Sequence, residues 1–244
     1  MKKPEMILFD FGHTLCYEEG FDVEKGFAAV MEHAVSNPLG ITVGQLSERN
    51  EMMFGYLDKR VHDVDIELHH HIYFRALFES LRLEFDVPYS ELELIQWEAS
   101  SPQEMMPGAG RLIDYLNEKE YRTAVVSNMS YSGEALAHRV NELLPRNKFE
   151  FILASSEYGW RKPNRFLFDV ALAKAGVPAE NIWFCGDSAF ADVGGAAGVG
   201  MIPVWVDSPR YCYYRQKEKK PDCEYLYVRS LDEMITLLES ADGR

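Results

Sequence analysis

From Pro107-Gly108 to its end, the chain alternates short apolar runs with stretches of helical periodicity. A helix over about 109–119 leads to a strand, Thr123-Ala124-Val125-Val126-Ser127, and a helix over about 132–144 precedes a strand at 150–154. Asn164, just after Pro163, caps a helix running to about 175. Then come a strand, Ile182-Trp183-Phe184-Cys185, a helix over about 189–197 and a strand, Met201 to Val206. A strand near 224–228 and a helix near 231–240 end the series. Short apolar strands separated by helices require a parallel sheet covered on both faces. The chain is therefore expected to be an α/β protein with a Rossmann-like core, its ligand beyond the carboxyl ends of the strands.

The N-terminal part departs from that rhythm. Residues 5–9 read as one buried strand ending in Asp10 and the turn-like Gly12-His13. From about 17 to 104 the apolar residues fall at helical spacing, as in Ile72-Tyr73-Phe74-Arg75-Ala76-Leu77-Phe78, with breaks at Pro38-Leu39-Gly40 and Val87-Pro88. About four helices are expected there. The predicted organisation is a core of residues 1–16 and 105–244, with 17–104 inserted as an all-helical cap domain. The stretch Ser208 to Asp222 is expected to be a surface loop.

Bulk properties narrow the function. The formal charge of -14 opposes sequence-independent nucleic-acid binding and docking to an anionic membrane. A small anionic substrate stays compatible, because a metal and local donors outweigh a diffuse field. The four cysteines, Cys16, Cys185, Cys212 and Cys223, fit no zinc or redox spacing and read as reduced structural thiols. The apolar run Met6 to Phe9 is too short for a signal peptide, and no stretch reaches membrane-span length. A cytoplasmic protein is expected, with no nucleic acid or membrane as partner.

Four segments come directly after predicted strands and should meet on one sheet edge. They are Phe9-Asp10-Phe11-Gly12-His13-Thr14-Leu15, Val126-Ser127-Asn128, Trp160-Arg161-Lys162-Pro163, and Phe184-Cys185-Gly186-Asp187-Ser188-Ala189-Phe190-Ala191-Asp192. Asp10 and Asp187 at apolar strand ends would be costly to bury as unpaired charges. A divalent cation between them removes that cost, and oxygen ligands suit Mg²⁺. Lys162 and Ser127 can then hold phosphate oxygens. A carboxylate beside such a metal can attack phosphorus, while lysine and metal stabilise the transferring group.

In this order and spacing, including the Gly186, Asp187 and Asp192 pattern, the four segments resemble the motifs of the haloacid dehalogenase superfamily. The helical insert resembles that superfamily's type-1 cap. By position, Asp10 matches the nucleophile and a metal ligand, Gly12 the residue whose carbonyl ligates the metal, and Thr14 a support of the first loop. Ser127 and Asn128 match the phosphate-binding site, and Lys162 the lysine bridging phosphate and nucleophile. Asp187 matches the acidic metal ligand, and Asp192 a supporting carboxylate or a further ligand. The resemblance implies a Mg²⁺-dependent phosphatase acting on a small phosphorylated metabolite through an aspartyl-phosphate.

One position departs from the pattern. Family phosphatases carry an acid–base Asp two residues after the nucleophile, where this chain has Gly12. General acid–base catalysis is worth roughly 10²–10⁴-fold, so a slower enzyme is expected rather than a dead one. His13 is the candidate replacement; the competing reading has it packing in the loop, since adjacent residues leaving a strand face opposite ways. Arg161 is either a second phosphate contact or an exposed arginine. The run His69-His70-His71 is a poor chelate, because consecutive helical residues diverge, and partly exposed positions are expected for it. Phosphonate C–P cleavage, for which the insert offers Lys25 and Lys59, and binding without turnover are the competing functions.

Overall fold

The computed structural model describes residues 2–207 and 219–242, with 58–63 and 242 entering by their backbone alone. Most of the loop expected at 208–222 therefore lies outside the described residues, as do Cys212 and the side chain of Lys59. Strand β1 (Met6–Phe9) is followed by β2 (Cys16–Tyr17), α1 (Val23–Met31), β3 (Ala34–Ser36) and α2 (Val43–Asp63). Next come α3 (His70–Ser80), β4 (Glu84–Phe85), α4 (Tyr89–Ser100) and β5 (Glu104–Met105). The alternating part runs α5 (Ala109–Glu118), β6 (Arg122–Ser127), α6 (Gly133–Leu143), β7 (Ile152–Ala154) and α7 (Arg165–Ala175). It continues with β8 (Ile182–Gly186), a π-turn over Ala189–Gly194, α8 (Gly195–Gly198), β9 (Ile202–Val206), β10 (Leu226–Val228) and α9 (Leu231–Asp242).

Six strands form one parallel sheet in the order β10-β9-β8-β1-β6-β7. Alternate residues of each strand enter different cores. Ile7, Phe9, Val125, Trp183 and Cys185 pack on the face covered by α5, α6 and α9. Met6, Leu8, Ala124, Val126 and Phe184 pack on the face covered by α7 and α8. This two-sided burial is why the strands carry no polar alternation. α5 shows the matching helical period, burying Ala109, Leu112, Ile113 and Leu116. Asn164 caps α7 through the Phe166 amide, and Gly176 ends that helix at φ 66°.

From β1 the chain fills β6 and β7 on one side, then returns to β8, β9 and β10 on the other. Such a reversal opens a crevice at the carboxyl ends of the strands flanking it. Those ends are Phe9, Ser127 and Gly186, immediately before Asp10, Asn128 and Asp187.

The insert holds the four expected helices, which share a core of their own. Phe27, Val30, Phe74, Leu77, Phe78 and Leu92 are its fully buried centre. Gly26 lets α1 approach α4 closely, since a Cβ there would lie 1.9 Å from Ser100 Oγ. The expectation of an all-helical insert is corrected by β3 and β4, which form a small antiparallel pair. These strands are three and two residues long, too short for a period-2 pattern to register in the sequence. The antiparallel pair β2–β5 sits where the chain leaves and re-enters the alternating part.

Candidate active site

Asp10 leaves the end of β1 with its amide donating to Cys185 O of β8 at 2.8 Å. Its carboxylate is almost wholly buried. Oδ2 accepts a long hydrogen bond from Thr14 Oγ1 at 3.4 Å. Oδ1 accepts from Lys162 Nζ at 2.7 Å. The same ammonium lies 2.7 Å from Asp192 Oδ1 and donates to Val126 O at 2.9 Å. Burial works to lower the Lys162 pKa, but Asp10 and Asp192 outweigh it and hold the ammonium above its ordinary value.

Lys162 is aimed by Asn128. The Asn128 amide donates to Lys162 O at 2.9 Å, and the Lys162 amide donates back to Asn128 Oδ1 at 2.7 Å. The Asn128 carboxamide thus holds the lysine's main chain in place. Ser127, the buried last residue of β6, precedes Asn128 at the same sheet edge.

Asp192 reaches the site through the π-turn, which replaces the ordinary helix expected over 189–197. A π-turn inserts an extra residue and re-aims the side chains beyond it, and such turns recur at functional sites. Asp192 Oδ2 accepts from the Ser188 amide at 2.9 Å, and Ser188 Oγ caps the turn by accepting from the Ala191 amide. The carboxylate folds back over Gly186, where a Cβ would lie 2.3 Å from Asp192 Oδ2. The spacing of Gly186, Asp187 and Asp192 thus has a steric cause.

Asp10, Asp187 and Asp192 are all buried, and each offers a carboxylate oxygen within 4.8 Å of the others. Three carboxylates against one ammonium leave an excess of two negative charges. Closely packed oxygen donors with that excess fit a hard divalent cation of the Mg²⁺ type.

Gly12 has open space where a side chain would be, with nothing within 4 Å of a built Cβ. His13 is partly buried and held at φ 56°, in the left-handed region. Arg161 neighbours the site rather than entering the carboxylate cluster. Its guanidinium lies 3.7 Å from Glu67 of the insert and lines a cavity of about 430 Å³ between the insert and the residue 128–131 loop.

The sequence pointed to Asn128 and Arg161 of this lining but not to Gln96 and Tyr131. Against the expectation of partial exposure, His70 is buried, and its Nε2 meets Gln96 Oε1 at 3.0 Å. Tyr131 OH donates to the same oxygen at 2.9 Å, and its ring stacks on Trp97 at 4.4 Å. Burial, aided by the neighbouring His71 and His69, drives the His70 pKa down to about 3 against the pull of Gln96. The three histidines do diverge: His69 caps α3, while His71 Nε2 lies 2.8 Å from buried Glu93. Of the insert's lysines, Lys25 is exposed and paired with Asp22.

No helix among the described residues is long and apolar enough to cross a membrane. Cys16, Cys185 and Cys223 are free thiols. A glyceraldehyde 3-phosphate phosphatase from Pyrococcus furiosus is 23% identical over 249 residues, covering 100% of this chain and 96% of that one. A haloacid dehalogenase-type phosphatase from Thermococcus onnurineus superposes with a TM-score of 0.59 at 20% identity, covering 98% of each chain. The hydrolase YfnB from Bacillus subtilis, solved bound to magnesium, gives 0.54 at 20% identity over 97% of this chain and 99% of its own. The family model of the haloacid dehalogenase-like hydrolases matches residues 4–200, a span that holds all four strand-end segments. The chain belongs to the haloacid dehalogenase-like hydrolases.

Proposed function

We propose that the protein is a Mg²⁺-dependent phosphatase for a small phosphorylated metabolite, with Asp10 as nucleophile. The observation that carries this reading is the Lys162 ammonium, held 2.7 Å from both Asp10 and Asp192 beside Asp187. Asp10, the Gly12 carbonyl and Asp187, with Asp192, would hold the metal. Bound there, Mg²⁺ would supply charge neutralisation for the phosphoryl group.

Each of the chain's own groups then has a task. Lys162 and Ser127 bind phosphoryl oxygens, and in the resting site Asp10 and Asp192 hold the Lys162 ammonium charged. Asp10 forms a bond to phosphorus as the ester bond breaks, giving an aspartyl-phosphate and an alkoxide. Water then attacks phosphorus, releasing inorganic phosphate and the Asp10 carboxylate, while the alkoxide takes its proton from water. Thr14 and the Cys185 carbonyl keep Asp10 in place through both steps. With Gly12 in the usual acid–base position, the open space beside it is left to water or to a group of the substrate. Residues 17–104 would act as the cap, and 1–16 with 105–244 as the catalytic core. The cap would exclude bulk water and shape the leaving-group cavity.

The relative from Pyrococcus furiosus is named for a phosphorylated triose, which supports the substrate class and not the particular compound. The test is release of phosphate from an aryl phosphate with Mg²⁺, beside Asp10→Asn and a metal-free control. An aryl group departs without an acid, so Gly12 matters little to its first step. Metal-dependent release that disappears in Asp10→Asn is the expected result. Release that persists in Asp10→Asn, or none with either protein, overturns the reading.

A further inference from the structure

The cavity beside the site begins at Asn128 and Arg161, each one residue from a group assigned to the phosphoryl site, Ser127 and Lys162. Its volume of about 430 Å³ is nearly three times that of the roughly 150 Å³ apolar cavity known to accept benzene. A three-carbon leaving group would leave most of it unfilled. A ring system of nucleoside size would fill it.

The walls specify more than size. Phe21, Phe54, Leu57, Leu68 and Tyr73 line it from the insert, and Met129 and Tyr131 from the opposite loop. Tyr131 is a fixed part of the wall, because Trp97 stacks on it with an interplanar angle of 2° and the His70 ring lies 4.3 Å from its own. Among the described lining residues Arg161 is the one permanent cation, and Glu67 lies 3.7 Å from it. A second phosphate or carboxylate on the substrate would find no unspent positive charge there.

The polar groups give the cavity a reading edge. Gln96 Oε1 already accepts from His70 and Tyr131, so what Gln96 has left to offer is its NH₂. His70 Nε2 carries the proton given to Gln96, which leaves Nδ1 as the ring's acceptor. Both residues line the cavity. Asn50, Asn128 and Ser130 add polar groups elsewhere on the lining, and the donor–acceptor pair of Gln96 and His70 matches the edge of an uncharged heterocycle.

We infer that the cavity binds the leaving group of the phosphate monoester, and that this group carries an uncharged planar heteroaromatic ring of about nucleobase size. Phe21 and Phe54 pack against the ring, and Gln96 and His70 read its edge. The inference rests on the Asp10 site being the phosphoryl-transfer centre proposed above.

The test compares kcat/KM with Mg²⁺ for three esters of primary alcohols: uridine 5′-monophosphate, glyceraldehyde 3-phosphate and fructose 1,6-bisphosphate. Matched alcohols remove leaving-group reactivity as the variable. Acetyl phosphate, too small to fill the cavity, reports on the phosphoryl site alone. The expected result is a preference for the nucleotide of about 10²-fold or more. Phe54→Ala, at a solvent-facing position where folding is not at stake, is expected to lower the nucleotide-to-acetyl phosphate ratio about tenfold. Gln96→Met is expected to lower it at least as far. Acetyl phosphate turnover with equal or better use of the triose or the bisphosphate overturns the cavity assignment alone. An unchanged ratio in Phe54→Ala and Gln96→Met overturns it as well. No turnover of acetyl phosphate or of any of the three esters overturns both the cavity assignment and the phosphatase reading.

Discussion

Asp192 folds back over Gly186 so closely that a methyl group there would sit 2.3 Å from its Oδ2. That contact sets Asp192 Oδ1 2.7 Å from Lys162 Nζ, and through it fixes the ammonium beside Asp10. Gly186→Ala is therefore expected to push Asp192 out of place without touching a reacting atom. Overpacking of this kind costs about 1–3 kcal/mol, which denaturant unfolding will measure. Turnover should fall with it, and Asp192→Asn should give a similar loss of turnover without the steric cost.

The excess of two negative charges at Asp10, Asp187 and Asp192 predicts a metal-dependent stability. At a Mg²⁺ concentration about a hundred times its dissociation constant, the gain is about 2.7 kcal/mol. For a chain of this size that raises Tm by roughly 5–11 °C. Asp187→Asn should remove most of the Mg²⁺-dependent rise. Differential scanning calorimetry with and without Mg²⁺ measures both.

Gly12 has an ordinary backbone φ and open space around it, so a side chain fits there without strain. Gly12→Asp is expected to keep stability within about 1 kcal/mol of the parent. It should raise turnover of alkyl phosphates by up to roughly 10²-fold, the lower part of the range for acid–base catalysis. Aryl phosphates should gain less in their first step. A steady-state comparison of the two ester types checks this.

Legibility in the sequence tracks which contacts are local. Asp10, Ser127 and Asp187 each end or succeed an apolar strand, so the strand pattern alone placed them on one edge. The parallel sheet and the four inserted helices were legible for the same reason: long apolar periods leave a strong signal. The cavity was not. His70, Gln96 and Tyr131 come from α3, α4 and the residue 128–131 loop, and only tertiary packing joins them. The Asn128–Lys162 exchange of hydrogen bonds spans 34 residues and has no sequence signature. The π-turn was hidden because its residues carry an ordinary helical pattern. The β3–β4 pair was hidden by its brevity.

The buried His70 predicts an acid-sensitive fold. Its pKa is lowered to about 3 from an ordinary 6.5. Between those values the unfolded chain binds a proton that the folded chain does not, so stability falls as pH falls through that window. At pH 5 the loss is about 2 kcal/mol relative to neutral pH. His70→Gln should flatten this part of the stability profile. Urea unfolding at pH 7 and pH 5, for parent and variant, measures the difference.

The central claim is that Asp10 receives the phosphoryl group. The most direct measurement is a rapid acid quench of the protein turning over a phosphate ester with Mg²⁺, followed by peptide mass spectrometry. The expected result is a phosphoryl group on the peptide containing Asp10, accumulating because Gly12 leaves its hydrolysis without a side-chain base, and absent in Asp10→Asn. Turnover with that peptide unmodified, or with the phosphoryl group on another residue, would contradict it.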